Sequence, residues 1–588
     1  MGNDTKSKSF IQGALILGIA NLLVKAIGAV FKIPLINLIG DDGMGYFNIA
    51  YQIYTFMFIV ATAGFPIAIS KMVAESMAKG DERDAKRIFS TALTFLAIIG
   101  FIGTSILFLF PGQLERLVAV TGSELGILAI SPAVFFVSMA SVYRGYFQGR
   151  QNMMPTAASE VIEAAAKLLV GFFLASFFMK MAVNGDLTTA IDFNTRQIQS
   201  SNTQTVFASA GAISGVTIGT FLSFLLLSII YICTRKKGKH IASLEDLRSR
   251  KSILKELILI AIPITIGASV SSLTTLIDMG TITRRLVVRP EVLNNYSFMF
   301  EEGTNFFKKA VEQGWQGIDL YSQQAATLYG MYTGKALTLF NLPLTLVVAL
   351  GMSVVPAISA ALTKNDRLSA RKITESSIRI AMLFAAPCAL GMSFLSKEVL
   401  YVLFSDFNAQ SVLAILAIAI IPVAIVSVTN AILQAYGKVY HPVINMIIGG
   451  VAKVVFNFFC IPYLGIDGAP LGTFICYFII ACLNIKDIIK YGGIKFSIGE
   501  FVIRPLLAAL IMGAVGFVLG TFITSPQFII SEDINIWMRR LVIVAEIGIC
   551  ALVYVFSVFA VKAIKKEDLL NLPKGEKIAD ILTKFKLI

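Results

Sequence analysis

Charge is what this sequence has least of. Asp, Glu, Lys and Arg together make up 15% of its 588 residues, where an ordinary soluble chain carries about 25%. That shortage excludes a globule whose whole surface faces water. Histidine is scarcer still. His240 and His441 lie far apart in presumed cytoplasmic loops, so no histidine-built metal or catalytic centre is expected. The cysteines, Cys233, Cys388, Cys460, Cys476, Cys482 and Cys550, fall within or at the ends of apolar segments, which argues against a disulfide framework. An ATPase site is rejected too. Gly334-Lys335 matches the end of a phosphate-binding loop, but Tyr329 stands where the first glycine belongs and Ala336 where the Ser or Thr belongs.

What is abundant is apolar surface, at 56% hydrophobic residues and a mean hydropathy of +0.77. The apolar runs, such as Leu93 to Phe110 and Leu541 to Val561, are long and continuous, whereas a transmembrane β-barrel shows short alternating segments. At about 20 residues per crossing, the expected fold is an all-α polytopic membrane protein of about fourteen transmembrane helices. The spans are placed near 10–33, 46–70, 88–110, 122–146, 155–179, 207–233, 254–282, 325–360, 374–395, 409–433, 442–461, 468–489, 502–523 and 540–563. The first run carries Lys25 and lacks a small-residue cleavage pattern, so it reads as a retained span. Pro343 predicts a kink in the eighth.

Lys and Arg concentrate in the loops that are internal when the N-terminus is internal, which places both termini in the cytoplasm. The same distribution accounts for the net charge of +14 without nucleic acid as a partner.

The second half repeats the first. Phe65-Pro66-Ile67-Ala68-Ile69-Ser70 returns as Val355-Pro356-Ala357-Ile358-Ser359, each followed by a charged loop. Tyr146-Phe147-Gln148-Gly149-Arg150 with Pro155 and Lys167 corresponds to Leu433-Gln434-Ala435-Tyr436-Gly437-Lys438 with Pro442 and Lys453. Repeats of this kind underlie alternating-access transporters. The division expected is a six-helix lobe over 1–240, a parallel repeat over 250–490, two extra helices over 500–565 and a cytoplasmic tail over 566–588. Two outer loops are long, about 180–206 and 283–324. The second reads equally as a gate and as a solvated linker.

A charge held within the bilayer costs at least ~2.5 kcal/mol, so each deep ionisable side chain needs a reason. Lys25 and Lys32 lie two turns apart on one stripe of the first helix with Asn21 and Gly28. Lys335 sits in the polar stretch Tyr332-Thr333-Gly334-Lys335, and Lys167 and Lys453 are equivalent in the repeat. That equivalence reads as a symmetric cavity pair or, more simply at Lys167, as a local ion pair with Glu163 one turn before it, and Asp278 reads as the partner of a cavity lysine or a coupling ion or, more simply, of Arg284 or Arg285. Arg379 and Arg504 are expected to snorkel to the inner interface. Lys32 reads either as a cavity cation or as a snorkelling residue. An ammonium-lined cavity suits a pyrophosphate. An antiporter of cationic drugs would need acids there instead, and a glycosyltransferase would need acid/base groups that the sequence does not offer.

The order and spacing of Leu23-Val24-Lys25-Ala26-Ile27-Gly28, Phe31-Lys32-Ile33-Pro34, Gly40 to Phe47, Gly64 to Lys71 and Tyr332-Thr333-Gly334-Lys335 up to Leu342-Pro343 resemble the multidrug/oligosaccharidyl-lipid/polysaccharide (MOP) exporter superfamily. Within it, the resemblance is to the MurJ-type lipid II flippase and stage V sporulation protein B branch, and it spans essentially the whole chain. It implies two pseudo-symmetric six-helix lobes plus two C-terminal helices, V-shaped with a central cationic cavity. The family's cavity arginines fall on Lys25, approximately Lys32, and Lys335. An acidic residue that the better-known branch carries has no counterpart near Met44 to Tyr46. The implied function is flipping of an undecaprenyl-pyrophosphate-linked cell-wall precursor, without enzymatic activity or cofactor. The membrane potential or a monovalent ion is the candidate energy source. Other expected partners are the bilayer and the cell-wall synthesis machinery, with the chain acting as a monomer.

Overall fold

The computed structural model describes residues 2–183, 203–234, 248–289, 296–494, 497–523 and 535–564. Every regular element among them is a helix. The chain divides into two compact units, Met1–Gly330 and Met331–Ile588. The sequence division at 240–250 follows the repeat, whereas the packing boundary lies later because the helix over 250–288 packs on the first unit. The tail at 566–588 and residues 184–202 of the first long outer loop lie outside the described residues.

In the first unit, α1 (Gly2–Thr62) is 61 residues long and breaks at Gly40, whose φ of +75° suits a residue without a Cβ. The expected second span, 46–70, is interrupted. The helix ends at Thr62, and α2 (Phe65–Ala78) starts afresh with Pro66 in its first turn, where the missing N–H has no intrahelical partner to lose. There follow α3 (Glu82–Leu109), the short α4 (Pro111–Val118), α5 (Glu124–Gly149), α6 (Met154–Val183), α7 (Thr203–Thr234), α8 (Arg250–Val288), α9 (Asn305–Gln313) and α10 (Ile318–Met331).

The described residues 296–331 of the second long loop are docked on the helices of the first unit and do not form a free solvated linker. Lys309 Nζ lies 2.8 Å from Asp42 Oδ2, Tyr46 donates to Gln323, and Gln323 Nε2 donates to Thr121 Oγ1 at 3.1 Å. Helix α10 meets α1 backbone to backbone. A Cβ on Gly330 would overlap the Asp41 carbonyl oxygen, and one on Gly45 the Ala326 carbonyl. Gly330→Ala is therefore expected to destabilise the first unit by at least about 1–3 kcal/mol, the usual range for overpacking. Thermal unfolding in detergent checks this: a Tm equal to the wild type would show that the helices separate freely.

The second unit opens with a π-helical turn, Tyr332–Ala336, in which the Leu337 amide reaches the Tyr332 carbonyl. It continues through α11 (Leu337–Thr363), α12 (Arg367–Phe394), α13 (Ser396–Phe404), α14 (Gln410–Ile418), α15 (Ile420–Ala435), α16 (Tyr440–Leu464), α17 (Gly468–Gly492), α18 (Arg504–Ile523) and α19 (Ile536–Ala560). A π turn interrupts the expected eighth span at Tyr332–Ala336, and Pro343 follows inside α11.

The repeat is visible in local structure. Asp81 caps α3 by accepting from the Asp84 amide at 2.9 Å, and Asp366 caps α12 by accepting from the Ser369 amide at 2.9 Å. Each long helix leads to a short one, α4 or α13, which ends on a left-handed residue, Ala119 at φ 58° or Ser405 at φ 59°.

By length and composition, ten segments among the described residues can cross a membrane. Two of them, Leu23–Ala78 and Tyr440–Gly492, run to 56 and 53 residues, each enough for two crossings at about 20 residues apiece. Large apolar side chains such as Phe101, Leu109, Leu552 and Phe556 face outward, as a lipid-facing surface requires.

Candidate substrate-binding groups

Close helix packing in the first unit sets the position of Lys167. A Cβ on Gly215 would overlap the Gly171 backbone, so α6 and α7 run in direct contact, and the Gly171 position also abuts the buried Phe31 ring. Lys167 on α6 thereby meets α1. Its Nζ lies 4.0 Å from the Tyr51 ring centroid and 5.6 Å from that of Phe31, and an aromatic face attracts an ammonium by its quadrupole. Tyr51 is fixed in turn by stacking on Phe47, with centroids 5.8 Å apart. Lys32, half-buried and adjacent to Phe31, is within electrostatic reach of Lys167.

The expected Glu163–Lys167 pair does not form. Glu163 Oε2 is bound by Arg144 Nη2 at 2.8 Å, and Arg144 also donates to Ser159 and Ser223. The guanidinium wins because α5 brings it to the carboxylate with two further hydrogen bonds already satisfied, a geometry one ammonium cannot match. Arg144 is not among the residues singled out from the sequence; it falls near the end of the expected span 122–146 and is buried inside α5. The consequence is chemical. Among the described residues no acidic side chain pairs with Lys25, Lys32 or Lys167, so two neighbouring ammonium groups in the first unit stand without a counter-ion. Lys25 is exposed, and the side chain of Asn21 lies outside the described residues.

In the second unit Lys335 is buried and already paired, with its Nζ 2.7 Å from Asp406 Oδ2 and 5.9 Å from the Phe404 ring centroid. The partner is 71 residues away in sequence, and no local pattern pointed to it. Lys453 is buried on α16. Asp278 is buried on α8, with Arg285 half-buried and Arg284 exposed at that helix's end. Arg379 does not snorkel. It is buried 4.0 Å from Glu500 Oε2 with its guanidinium over the Phe501 ring. His441, read as a loop residue, lies in the first turn of α16, where Nδ1 is 3.2 Å from Asp487 Oδ2. Asp487 also accepts from Asn445 at 2.9 Å, and Asn445 and Asn430 both bond Asn484, so amide side chains join α15, α16 and α17.

The described chain is helical, with outward-facing apolar side chains and buried cations in both units. Residues 10–189 match the polysaccharide biosynthesis protein family, and residues 326–536 match the family "Lipid II flippase MurJ". Stage V sporulation protein B of Bacillus subtilis is 25% identical, over 96% of this chain and 98% of its own length. Lipid II flippase MurJ of the same organism is 26% identical, over 88% and 90%. A solved structure of a lipid II flippase MurJ in an inward closed conformation superposes with a TM-score of 0.62 at 15% identity, covering 92% of this chain and 98% of that one. Over nearly its whole length the chain is similar to stage V sporulation protein B and to lipid II flippase MurJ, and it shares the fold of the solved MurJ structure.

Proposed function

We propose that this protein is a flippase that carries an undecaprenyl-pyrophosphate-linked cell-wall precursor, lipid II or a sporulation-specific counterpart, from the inner to the outer leaflet. The observation that supports this reading most directly is the pair Lys32 and Lys167, two neighbouring like charges, the second resting on the Tyr51 and Phe31 rings, with no acid paired to either among the described residues. Like charges brought together in low dielectric repel, and an anionic headgroup turns that cost into binding energy. A pyrophosphate supplies two phosphates to two ammonium groups. A carrier of cationic drugs would gain nothing from the same arrangement.

In this reading the protein works by alternating access as a monomer in the cytoplasmic membrane, with both termini inside. Lys25, Lys335 and Lys453 contribute further positive charge along the route, and the membrane potential supplies about 2.3 kcal/mol per charge per 100 mV. The deciding experiment is a leaflet-accessibility assay for lipid II in flippase-depleted cells. Expression of this chain is expected to restore lipid II to the outer leaflet. If lipid II stays inside while the chain is present in the membrane, lipid II is not its substrate, and the same assay on other polyprenyl-linked saccharides then identifies the headgroup.

A further inference from the structure

Helix α8 begins with charge and continues without it. Arg250, Lys251, Lys255 and Glu256 stand in its first two turns, and the next charged residue is Asp278. The uncharged stretch between them is long enough for one crossing at about 20 residues, so the two lysines mark where the helix enters the bilayer. Its two faces differ. Ile253, Leu257 and Ala261 are buried in the core of the first unit with Phe65, Ile69 and Leu96, and a Cβ on Gly64 would overlap the Ala261 carbonyl oxygen. The other face is open. There Lys251, Leu254, Lys255, Ile258, Leu259 and Ile262 line a groove of about 610 Å3. Steps of three and four residues put them on one stripe of the helix. Leu259 is 69% exposed and Ile262 46%. From Lys251 to Ile262 the stripe rises about 16 Å, which is about half the ~30 Å thickness of the hydrocarbon core.

The two lysines are exposed, and the acid on their own turn does not neutralise them. Glu256 Oε2 is taken by Arg248 Nη1 at 3.0 Å. Arg248 is held in turn by Asp84 and donates to the Ser76 hydroxyl at 3.0 Å, so this network points at α2 and α3, away from the groove. What remains is an apolar trough with two ammonium groups at one end. A soluble anion would meet the lysines and gain nothing from Ile258, Leu259 and Ile262. A neutral lipid would cover the apolar wall and gain nothing from the lysines. A depth of one leaflet fits a lipid that stays in its own leaflet. We infer that this groove binds an anionic phospholipid, with the phosphodiester at Lys251 and Lys255 and an acyl chain along Leu254, Ile258, Leu259 and Ile262. The bound lipid covers the face of α8 that the first unit leaves open and ties the charged end of that helix to the membrane surface.

The site is independent of what the protein transports, and its test reads lipid occupancy directly. The full-length protein is placed in phosphatidylcholine nanodiscs with phosphatidylglycerol that carries a photoactivatable diazirine on its acyl chain, and the labelled residues are mapped by mass spectrometry. The label is expected on residues 254–262, displaced by unlabelled phosphatidylglycerol at concentrations where added phosphatidylcholine has no effect. Lys251→Ala combined with Lys255→Ala is expected to weaken this labelling about thirtyfold, since a lysine near the surface is worth about fivefold for an anionic lipid. Lys251→Arg with Lys255→Arg keeps both charges and should label as the wild type does, whereas Ile258→Trp fills the trough and should label weakly with both lysines in place. Labelling of 254–262 that survives the double alanine variant overturns the proposal, and so does equal displacement by phosphatidylcholine. A double arginine variant as weak as the double alanine one also overturns it, because charge would then not be what binds. Label cleared by undecaprenyl phosphate and left in place by phosphatidylglycerol would make the groove a prenyl-chain site, and the phospholipid assignment would fall.

Discussion

Replacing Lys167 by alanine is expected to abolish growth support in a flippase-depleted bacterium while leaving the amount of protein in the membrane unchanged. The two halves of that expectation have different origins. For stability, Lys167 has no acidic partner to strand, since Glu163 is held by Arg144. The loss of its contact with Tyr51, about 1 kcal/mol for a cation over an aromatic face, is set against relief of its repulsion with Lys32. For function, a charged group that meets a desolvated anion is worth about 3 kcal/mol when truncated, which corresponds to a loss of affinity on the order of 100-fold. Lys32→Ala should act in the same direction, and the double variant should add little, because the two ammonium groups serve one headgroup. Lys167→Arg keeps the charge and the stacking and should retain partial function. Complementation at wild-type rates by the double variant would falsify the cationic reading of the first unit.

The sequence revealed what depends on period, composition and local chemistry. Apolar length gave the helical membrane fold, and the repeat gave two matching charged loops, in which the structure finds Asp81 and Asp366 capping corresponding helices. The deep lysines could be selected because any such charge is expensive. Partners set by tertiary packing could not be read. The Arg144–Glu163 pair joins two helices, and Lys335 finds Asp406 across 71 residues, whereas the visible local signal, Glu163 one turn before Lys167, pointed to the wrong pairing. Glu546 illustrates a different gap. It is one acid in an apolar span, as legible as Lys25. Its isolation from every hydrogen-bond donor is a property of packing that no spacing rule contains.

Removing Asp406 is expected to damage the second unit far more than removing Lys335, although both substitutions break the same ion pair. The asymmetry follows from exposure. The Lys335 side chain is 3% exposed, and that of Asp406 34%. Asp406→Ala removes the carboxylate 2.7 Å from a buried ammonium, and breaking a buried pair from the side of its more exposed partner costs on the order of 3 kcal/mol. Lys335→Met fills a similar volume with an apolar chain. The carboxylate it leaves behind is partly solvated and still accepts from the Asn408 amide at 3.2 Å, so the expected loss is about 1 kcal/mol or less. Combining Lys335→Met with Asp406→Asn should restore most of the stability, since a buried pair replaced as a unit strands nothing. Melting temperatures of the four proteins in one detergent test the order: wild type, Lys335→Met and the double variant close together, Asp406→Ala well below. Transport should follow a different order. On the proposed function Lys335 also meets the anionic headgroup, so Lys335→Met and the double variant both lose the cation and are expected to transport poorly while stable. Equal melting temperatures for Asp406→Ala and Lys335→Met would show that Lys335 gains water or another acceptor once Asp406 is gone, and the pair would then have no part in holding the π turn in place.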